Sequence, residues 1–206
     1  MPTGYAEHIS MWGWSDELRS WTWPGFENKP MRVRVYTRGD QVKLLLNGKE
    51  VGSQSLGEND ALKAEFTIPY SPGELKATAY AAGSEIGTIV FTTAGKPRKL
   101  VLTADRRELN ASRDDLSYIL VQVADEEGRL VPDAVVGISF SVNGTGEIVA
   151  VGNANPKDVA SFRQPRRKTF NGACTIVIRP TGKPGVIDLQ AISPGLESAT
   201  IQLHVA

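Results

Sequence analysis

Apolar and polar residues alternate along most of this chain, and helical spacing is weak. In the segment MRVRVYT, Met31, Val33 and Val35 share one face, while Arg32 and Arg34 share the other. A period of two residues is typical of a strand that buries one face. The segments QVKLLLN, KEVGSQSL, LKAEFTIPY, ELKATAYA and EIGTIVFTT continue the strand pattern. A short turn of helix is predicted only at SDELRSW.

Turn residues separate these predicted strands. The pair Asn47-Gly48 predicts a two-residue hairpin, because a type I′ turn needs two residues with positive φ. Pro72-Gly73 and the region around Gly83 supply the next turns. Five or six strands are therefore expected before Thr93, and strands of this length and spacing predict a β-sandwich.

A second series of strands follows AGKPRK, a segment that combines glycine, proline and charge without an apolar period. The further predicted strands are KLVLTADR, RELNAS, SYILVQVAD, VVGISFSV, GEIVAV, CTIVIRP, GVIDLQAI and ATIQLHV. Residues 152–172 form the one long irregular segment, too long for an ordinary hairpin loop. We predict an all-β chain of two tandem immunoglobulin-like β-sandwich domains. The first covers residues 1–96, with a tryptophan-rich N-terminal arm, and the second covers residues 97–206.

Charge and composition limit the classes of partner that are expected. The 206 residues contain 23 Lys and Arg and 23 Asp and Glu. This balance argues against nucleic acid or an anionic membrane surface as the main partner. No apolar run approaches the ~18 residues of a membrane span, so membrane insertion is not predicted. The N-terminus MPTGYAEHIS lacks the features of a signal peptide, so we expect this chain to be a fragment without an export signal.

The single cysteine, Cys174, excludes an internal disulfide and a cysteine-cluster metal site. It lies in the apolar segment GACTIVIR, so we expect a buried side chain. The two histidines, His8 and His204, lie at opposite ends of the chain, and their spacing suggests no metal site. No cofactor site is predicted.

Independent catalysis is not expected. A glycosidase needs two carboxylates about 5–9 Å apart on either side of the scissile bond. The adjacent pair Asp114-Asp115 and the run Asp125-Glu126-Glu127 lie in turn-rich segments. Neighbours in a strand point to opposite faces. We interpret both groups as solvated loop carboxylates, and no catalytic residue is predicted.

Two basic and aromatic segments are open to more than one interpretation. The segment FRQPRRKTF could bind an oligonucleotide, but the neutral net charge favours a solvated loop pinned by two buried phenylalanine rings. The segment MWGWSDELRSWTWPGF contains all the tryptophans: Trp12, Trp14, Trp21 and Trp23. These rings could stack on a sugar or pack beneath an arm that covers a sheet edge. On the residues alone, packing is favoured.

The segment WTWPGFENKPMRVRVYTRGDQVKLLLNGKEVG resembles an accessory domain that follows the catalytic barrel in bacterial β-galactosidases of glycoside hydrolase family 2. The shared features are W-x-W, a glycine with KP, a strand ending in VYT and an LNGK hairpin. The later segments PYSPGELKATAY and TAGKP also match this pattern.

The second half is similar to the C-terminal immunoglobulin-like domain of the same enzymes, of the invasin or bacterial immunoglobulin-like type. The resemblance is carried, in order, by LTADR, DLSYILVQVADEEGRLVPDA, FSVNGTGEIVAVGNANP, SF, RKTFNGACTIVIRPTGKPG and ISPGLESATI. One departure is Ala154, where the family usually has the second glycine of G-N-G. This substitution puts the local turn in question, but not the domain.

The resemblance implies a non-catalytic C-terminal module pair of a family 2 β-glycosidase, with β-galactosidase the expected activity of the parent. The catalytic glutamates of such enzymes belong to an upstream barrel, which is the expected partner within the same polypeptide. The pair would support the barrel's orientation, its oligomerisation or its substrate cleft, with the loop at residues 152–172 as a candidate contact. The resemblance also strengthens the packing interpretation of the tryptophans, with Trp12 and Trp14 as the pair expected to be exposed. The alternative is a carbohydrate-binding module that uses the N-terminal tryptophans on an oligosaccharide. A homo-oligomeric parent in the periplasm, at the cell surface or outside a bacterial cell is also expected.

Overall fold

The computed structural model describes Met11, Ser15, residues 17–57, Asp60 and residues 62–206. The chain divides into two compact units, Met1–Thr93 and Ala94–Ala206. The boundary predicted from sequence, between residues 96 and 97, lies slightly further along the chain. The described residues are all-β and contain no α-helix, which confirms the predicted fold class. The described residues of SDELRSW are not helical, so a helical turn there was a wrong prediction.

The first unit consists of two antiparallel sheets. Its strands are β1 (Pro30–Tyr36), β2 (Gln41–Leu46), β3 (Lys49–Ser55), β4 (Lys63–Pro69), β5 (Glu74–Ala81) and β6 (Ser84–Thr92). Strands β1 and β4 form a two-stranded sheet, and the other sheet has the order β3-β2-β5-β6. The core of this unit takes alternate residues from both sheets, among them Val42 and Leu44 of β2 and Phe66 and Ile68 of β4.

The β2–β3 hairpin forms at the predicted turn. Asn47 and Gly48 have φ values of 52° and 78°, and Leu46 pairs with Lys49. Two consecutive positive φ values match the twist of the flanking strands. The predicted Asn-Gly hairpin is therefore confirmed.

The second unit also consists of two sheets. Its strands are β7 (Lys99–Ala104), β8 (Glu108–Leu109), β9 (Ser117–Ala124), β10 (Gly137–Gly144), β11 (Gly146–Gly152), β12 (Arg166–Lys168), β13 (Ala173–Pro180), β14 (Gly185–Ile192) and β15 (Ala199–Val205). The sheet orders are β12-β10-β14-β15-β8 and β11-β13-β9-β7. The pairing of β15 with β8 is parallel, whereas the other named pairings in this unit are antiparallel.

The core of the second unit lies between these two sheets. Ile119 and Val121 of β9 and Ile176 of β13 pack with Leu189 of β14 and Leu203 of β15, all of them fully buried. Each predicted strand of this half is present. Strand β12 was not predicted, because its sequence, Arg-Arg-Lys, has no apolar alternation. No helix in the described part of the chain has the length and hydropathy of a membrane span.

Candidate functional site

Trp21 lies in the core of the first unit. Its side chain is 2% exposed, and its indole N–H donates a hydrogen bond to the carbonyl oxygen of Ser71 at 3.0 Å. The indole meets the ring of Tyr70 edge to face, with ring centroids 5.1 Å apart. Such pairs add about 0.5–1.5 kcal/mol beyond the burial of their area. Trp21 therefore anchors the segment that precedes β1.

Hydroxyl groups from later in the chain hold the backbone next to this indole. Thr93 Oγ1 donates to the carbonyl oxygen of Trp21 at 2.7 Å. The backbone N–H of Trp23 donates to the hydroxyl oxygen of Tyr70 at 3.1 Å. Tyr70 follows β4 and Thr93 follows β6, so the segment is tied to the ends of strands from both sheets.

The predicted sugar platform is only partly covered by the described residues. Trp21 is buried and has no exposed ring face in this structure, which confirms the packing interpretation for that residue. Trp23 is half-buried. Trp12 and Trp14 lie outside the described residues. Carbohydrate binding by Trp12, Trp14 or Trp23 stays a prediction, whereas the buried ring of Trp21 is not available to stack on a sugar.

An ion-pair network on the outer face of β1 holds the arm at Glu17. The Arg34 guanidinium donates to the carboxylates of Glu17 and Glu65, with Nε 2.8 Å from the Glu65 oxygen. The hydroxyl of Tyr36 donates to the Glu17 carboxylate at 3.0 Å. The hydrogen bond from Arg34 lowers the pKa of Glu65, while desolvation and the Glu17 carboxylate raise the pKa of Tyr36.

The two groups of adjacent carboxylates have structural partners. Asp115 accepts hydrogen bonds from the backbone N–H of Asn110 at 2.8 Å and of Leu116 at 3.0 Å, and it pairs with Arg106 at 2.9 Å. The backbone hydrogen bond from Asn110 makes the largest contribution to its lowered pKa. Asp115 therefore closes the loop between β8 and β9.

Asp125 is buried, with 1% of its surface exposed, so its interpretation as a solvated loop carboxylate was wrong. One oxygen accepts from the backbone N–H of Gly95 and the other from that of Arg129, both at 2.8 Å. Burial disfavours the charged carboxylate, but these N–H groups and the Arg129 guanidinium outweigh it, and the pKa of Asp125 is lowered. A turn carboxylate can be buried because backbone donors replace its water.

The long irregular segment is organised by a buried arginine. The Arg167 side chain is buried in β12 and donates to the Asp158 carboxylate at 3.1 Å. It also donates to the carbonyl oxygens of Ala160 at 3.1 Å and Ser161 at 2.8 Å, and to that of Val151. One guanidinium thus joins β11 and β12 to the loop between them.

Asn153 and Asp158 complete this support. The Asn153 side-chain amide donates to Asp158 Oδ2 and to the carbonyl oxygen of Lys168, both at 2.9 Å. The backbone N–H of Ala160 and the Arg167 guanidinium lower the pKa of Asp158. Ala154, the departure from G-N-G, is not among the residues with positive φ. Alanine at this position is therefore not in the left-handed conformation that favours glycine.

The prediction that two buried phenylalanine rings pin this segment was wrong. Phe162 is 59% exposed, and the Arg167 guanidinium lies 5.2 Å from the centre of its ring. Phe170 is half-buried. A basic residue holds the loop where the sequence pattern favoured aromatic rings.

Cys174 is buried in β13, as predicted. Burial raises the pKa of its thiol to about 12, so the reactive thiolate is suppressed at neutral pH. Among the described residues, no group of three or more His, Cys, Asp or Glu side chains could hold a metal ion.

These features define a class of protein: a tandem pair of β-sandwiches in which polar side chains such as Asp125 and Arg167 hold loops and strand ends in place. The chain belongs to glycoside hydrolase family 2, because residues 100–202, half of its length, match the family's C-terminal domain 5. Residues 28–87 match a domain of unknown function, DUF4982. The predicted family resemblance is confirmed for the second unit.

Curated relatives include glycosidases much longer than this chain. The β-galactosidase BoGH2A of Bacteroides ovatus is 37% identical over 183 residues, which is 89% of this chain and 21% of that enzyme. A putative β-glucuronidase of Formosa agariphila is 27% identical over 170 residues, 81% of this chain and 16% of the enzyme. The chain thus spans about a fifth or less of these relatives.

Solved structures agree in fold. A glycosyl hydrolase family 2 member from Bacteroides cellulosilyticus has a TM-score of 0.89 and 37% identity, covering 92% of this chain and 24% of that one. A β-glycosidase from Bacteroides vulgatus has a TM-score of 0.85 and 28% identity, covering 91% of this chain and 24% of that one. The double sandwich therefore recurs within longer glycoside hydrolases.

Proposed function

We propose that this chain is the non-catalytic C-terminal module pair of a family 2 β-glycosidase, with β-galactosidase as the parent activity. It supports the orientation, the oligomeric contacts or the substrate cleft of a catalytic barrel in the same polypeptide. The observation that carries the proposal is the match to the Bacteroides ovatus β-galactosidase, which covers 89% of this chain but 21% of that enzyme.

The electrostatics of the described carboxyls support a structural role. A glycosidase general acid needs a raised pKa so that it stays protonated near neutral pH. Here hydrogen bonds from arginines lower the pKa of Glu65 and Glu147, and backbone N–H groups lower the pKa of Asp115 and Asp158. These four carboxyls are held ionised as acceptors.

The test is a comparison of the full-length parent enzyme with a version truncated at the start of this chain. We expect the truncated enzyme to lose thermal stability, native oligomeric state or rate of β-galactoside hydrolysis. Calorimetry, light scattering and steady-state kinetics measure the three properties. A truncated enzyme that matches the parent in all three would refute the proposed role.

We also propose that the parent acts in the periplasm, at the cell surface or outside a bacterial cell. The support is the resemblance to bacterial β-galactosidases of glycoside hydrolase family 2, for which such a location is expected. Fractionation of the native host, followed by immunodetection of this chain, tests the location. Recovery of the parent in the cytoplasmic fraction alone would contradict it.

A further inference from the structure

The loop between β11 and β12, residues 153–165, is tied near its C-terminal end to β11 and β10 by main-chain hydrogen bonds. The backbone N–H of Val151 donates to the carbonyl oxygen of Phe162 at 2.7 Å, and that of Phe140 donates to the carbonyl oxygen of Pro165 at 2.9 Å. Within the loop, Asp158 is paired with Arg167 of β12. Interactions of this kind fix a loop conformation in advance of any partner, which reduces the entropy lost on binding.

This ordered loop presents two apolar side chains to solvent. Val159 is 98% exposed and Phe162 is 59% exposed. One edge of the Phe162 ring lies against the backbone of Gly152, where an added Cβ would come within 3.2 Å of a ring carbon. Neither Val159 nor Phe162 belongs to the hydrophobic core of the second unit. Fixed, exposed apolar groups three positions apart in one loop are typical of an interaction surface.

The exposed charge of the loop has a single sign. Lys157, Arg163, Arg166 and Lys168 are exposed, while the one carboxylate in residues 153–168, Asp158, is paired with buried Arg167. The loop therefore has a local excess of positive charge in a chain whose net charge is zero. Its complement is an acidic surface.

We propose that Val159 and Phe162 dock into an apolar pocket with an acidic rim on the catalytic domain of the same polypeptide. This inference rests on the proposed function, which supplies that domain. A protein pocket fits better than a nucleic acid, because Val159 has no ring to stack on a base and gains only by burial. The basic residues around the two side chains contact the acidic rim and set the register of the contact.

The experiment measures thiol accessibility at position 159 in two contexts. Val159→Cys is introduced into the full-length parent enzyme and into this 206-residue chain, and mass spectrometry of the peptide follows its modification by iodoacetamide. Leu62→Cys is the matched control, since Leu62 is 59% exposed and belongs to the other unit. Cys174 is buried with a raised pKa and contributes little background.

We expect iodoacetamide to modify the thiol at position 159 about tenfold more slowly in the full-length enzyme than in the chain alone. This ratio corresponds to a docked state populated about 90% of the time. The Leu62→Cys thiol should react at similar rates in both contexts. Arg163→Glu, added to Val159→Cys, should restore the fast rate in the full-length enzyme. Lys183→Glu, at an exposed basic residue outside the loop, should not.

Three results would overturn the docking proposal. Equal rates in both contexts would show that nothing covers the loop. Protection that depends on protein concentration would assign the surface to a second copy. Protection of the chain alone by a single-stranded oligonucleotide, without protection in the enzyme, would assign it to a polyanion. The truncation test separates this proposal from the proposed function. If truncation impairs the enzyme but position 159 reacts equally fast in both contexts, only the docking proposal is refuted. If position 159 is protected but truncation leaves the enzyme unchanged, only the proposed function is refuted.

Discussion

The indole N–H of Trp21 donates to the carbonyl oxygen of Ser71 across 3.0 Å, although the two residues are 50 positions apart. This contact fixes the arm before β1 to the turn after β4. Because the same indole packs on Tyr70, one side chain contributes both apolar burial and a directed hydrogen bond. The segment around Trp21 is therefore an integral part of the first sandwich.

We expect Trp21→Ala to destabilise the first unit by about 3–5 kcal/mol, the usual cost of removing a buried aromatic side chain. Trp21→Phe should cost about 1–3 kcal/mol, because the Ser71 carbonyl loses its donor. Urea denaturation followed by circular dichroism measures both. The native chain should show a blue-shifted tryptophan emission that iodide does not quench, and this emission should be absent from Trp21→Phe. Trp23→Phe, at a half-buried position, is the control, and an equal loss in that variant would contradict the assignment.

Replacement of Arg167 should loosen the loop between β11 and β12. Arg167→Met removes one donor from the Asp158 carboxylate and the guanidinium donor from three backbone carbonyl groups, a loss of about 3 kcal/mol. Arg167→Lys should recover little, because one ammonium cannot reproduce the planar fork. Thermal unfolding and limited proteolysis of residues 153–165 report the change. The control is Arg166→Met at the exposed neighbouring position, and equal sensitivity of both variants would refute the role of Arg167.

Asp125 should make the second unit acid-sensitive. Its pKa is lowered in the folded state, so its stabilisation is complete above the unfolded carboxyl pKa and is lost as the pH falls through the lowered value. Asp125→Asn should cost about 1.5–3 kcal/mol at neutral pH, because a charged acceptor of two backbone N–H groups is lost. It should also flatten the acid limb of the stability profile. Unfolding measured from neutral to acidic pH tests this, with exposed Asp133→Asn as the control; an unchanged acid limb would contradict it.

The hairpin turn offers a test in which only backbone conformation differs. A Cβ added at Gly48 or at Gly137 would meet no atom within 4 Å, but only Gly48 has positive φ. Gly48→Ala should therefore destabilise the first unit by about 1 kcal/mol. Gly137→Ala, in β10, should be neutral or slightly stabilising. Chemical denaturation measures both, and equal effects would show that φ does not decide the outcome.

Cys174 should be unreactive in the native chain. Its thiol is buried and its pKa is raised to about 12, so an aromatic disulfide reagent at mildly alkaline pH should react only after denaturant is added. The absorbance of the released thiolate follows the reaction. Rapid modification of the native protein would show that β13 opens on the timescale of the measurement.

Much of this fold follows from local chemistry. Alternating apolar residues predicted the strands around Met31 and Ile176, and Asn47-Gly48 predicted its turn, because pleat and turn conformation depend on neighbouring residues. Burial of Arg167 and Asp125 could not be predicted in this way. Each is accommodated by donors or acceptors that only the folded chain brings near, as Gly95 does for Asp125. Buried polar residues such as Arg167 and Asp125 do not contribute to the alternation of apolar residues, so a pattern of apolar positions cannot reveal them.

The sequence predicted where the candidate interaction loop lies, but not which side chains hold it. Its length singled out residues 152–172, whereas the pattern assigned the buried positions to Phe162 and Phe170. The structure exposes Phe162 and buries Arg167. A guanidinium can satisfy several carbonyl groups at once, which an aromatic ring cannot. The side chains free to meet a partner therefore differ from those that composition favours.

The parallel pairing of β15 with β8 has a consequence for synthesis of the chain. Residues 199–205 lie between β14 and β8 in the finished sheet, so β8 lacks its neighbour until β15 has left the ribosome. The second sandwich cannot close during translation of its earlier strands, whereas the strands of the first are complete at Thr92. Nascent chains stalled before Ala199 should therefore carry a folded first unit and a protease-sensitive second one.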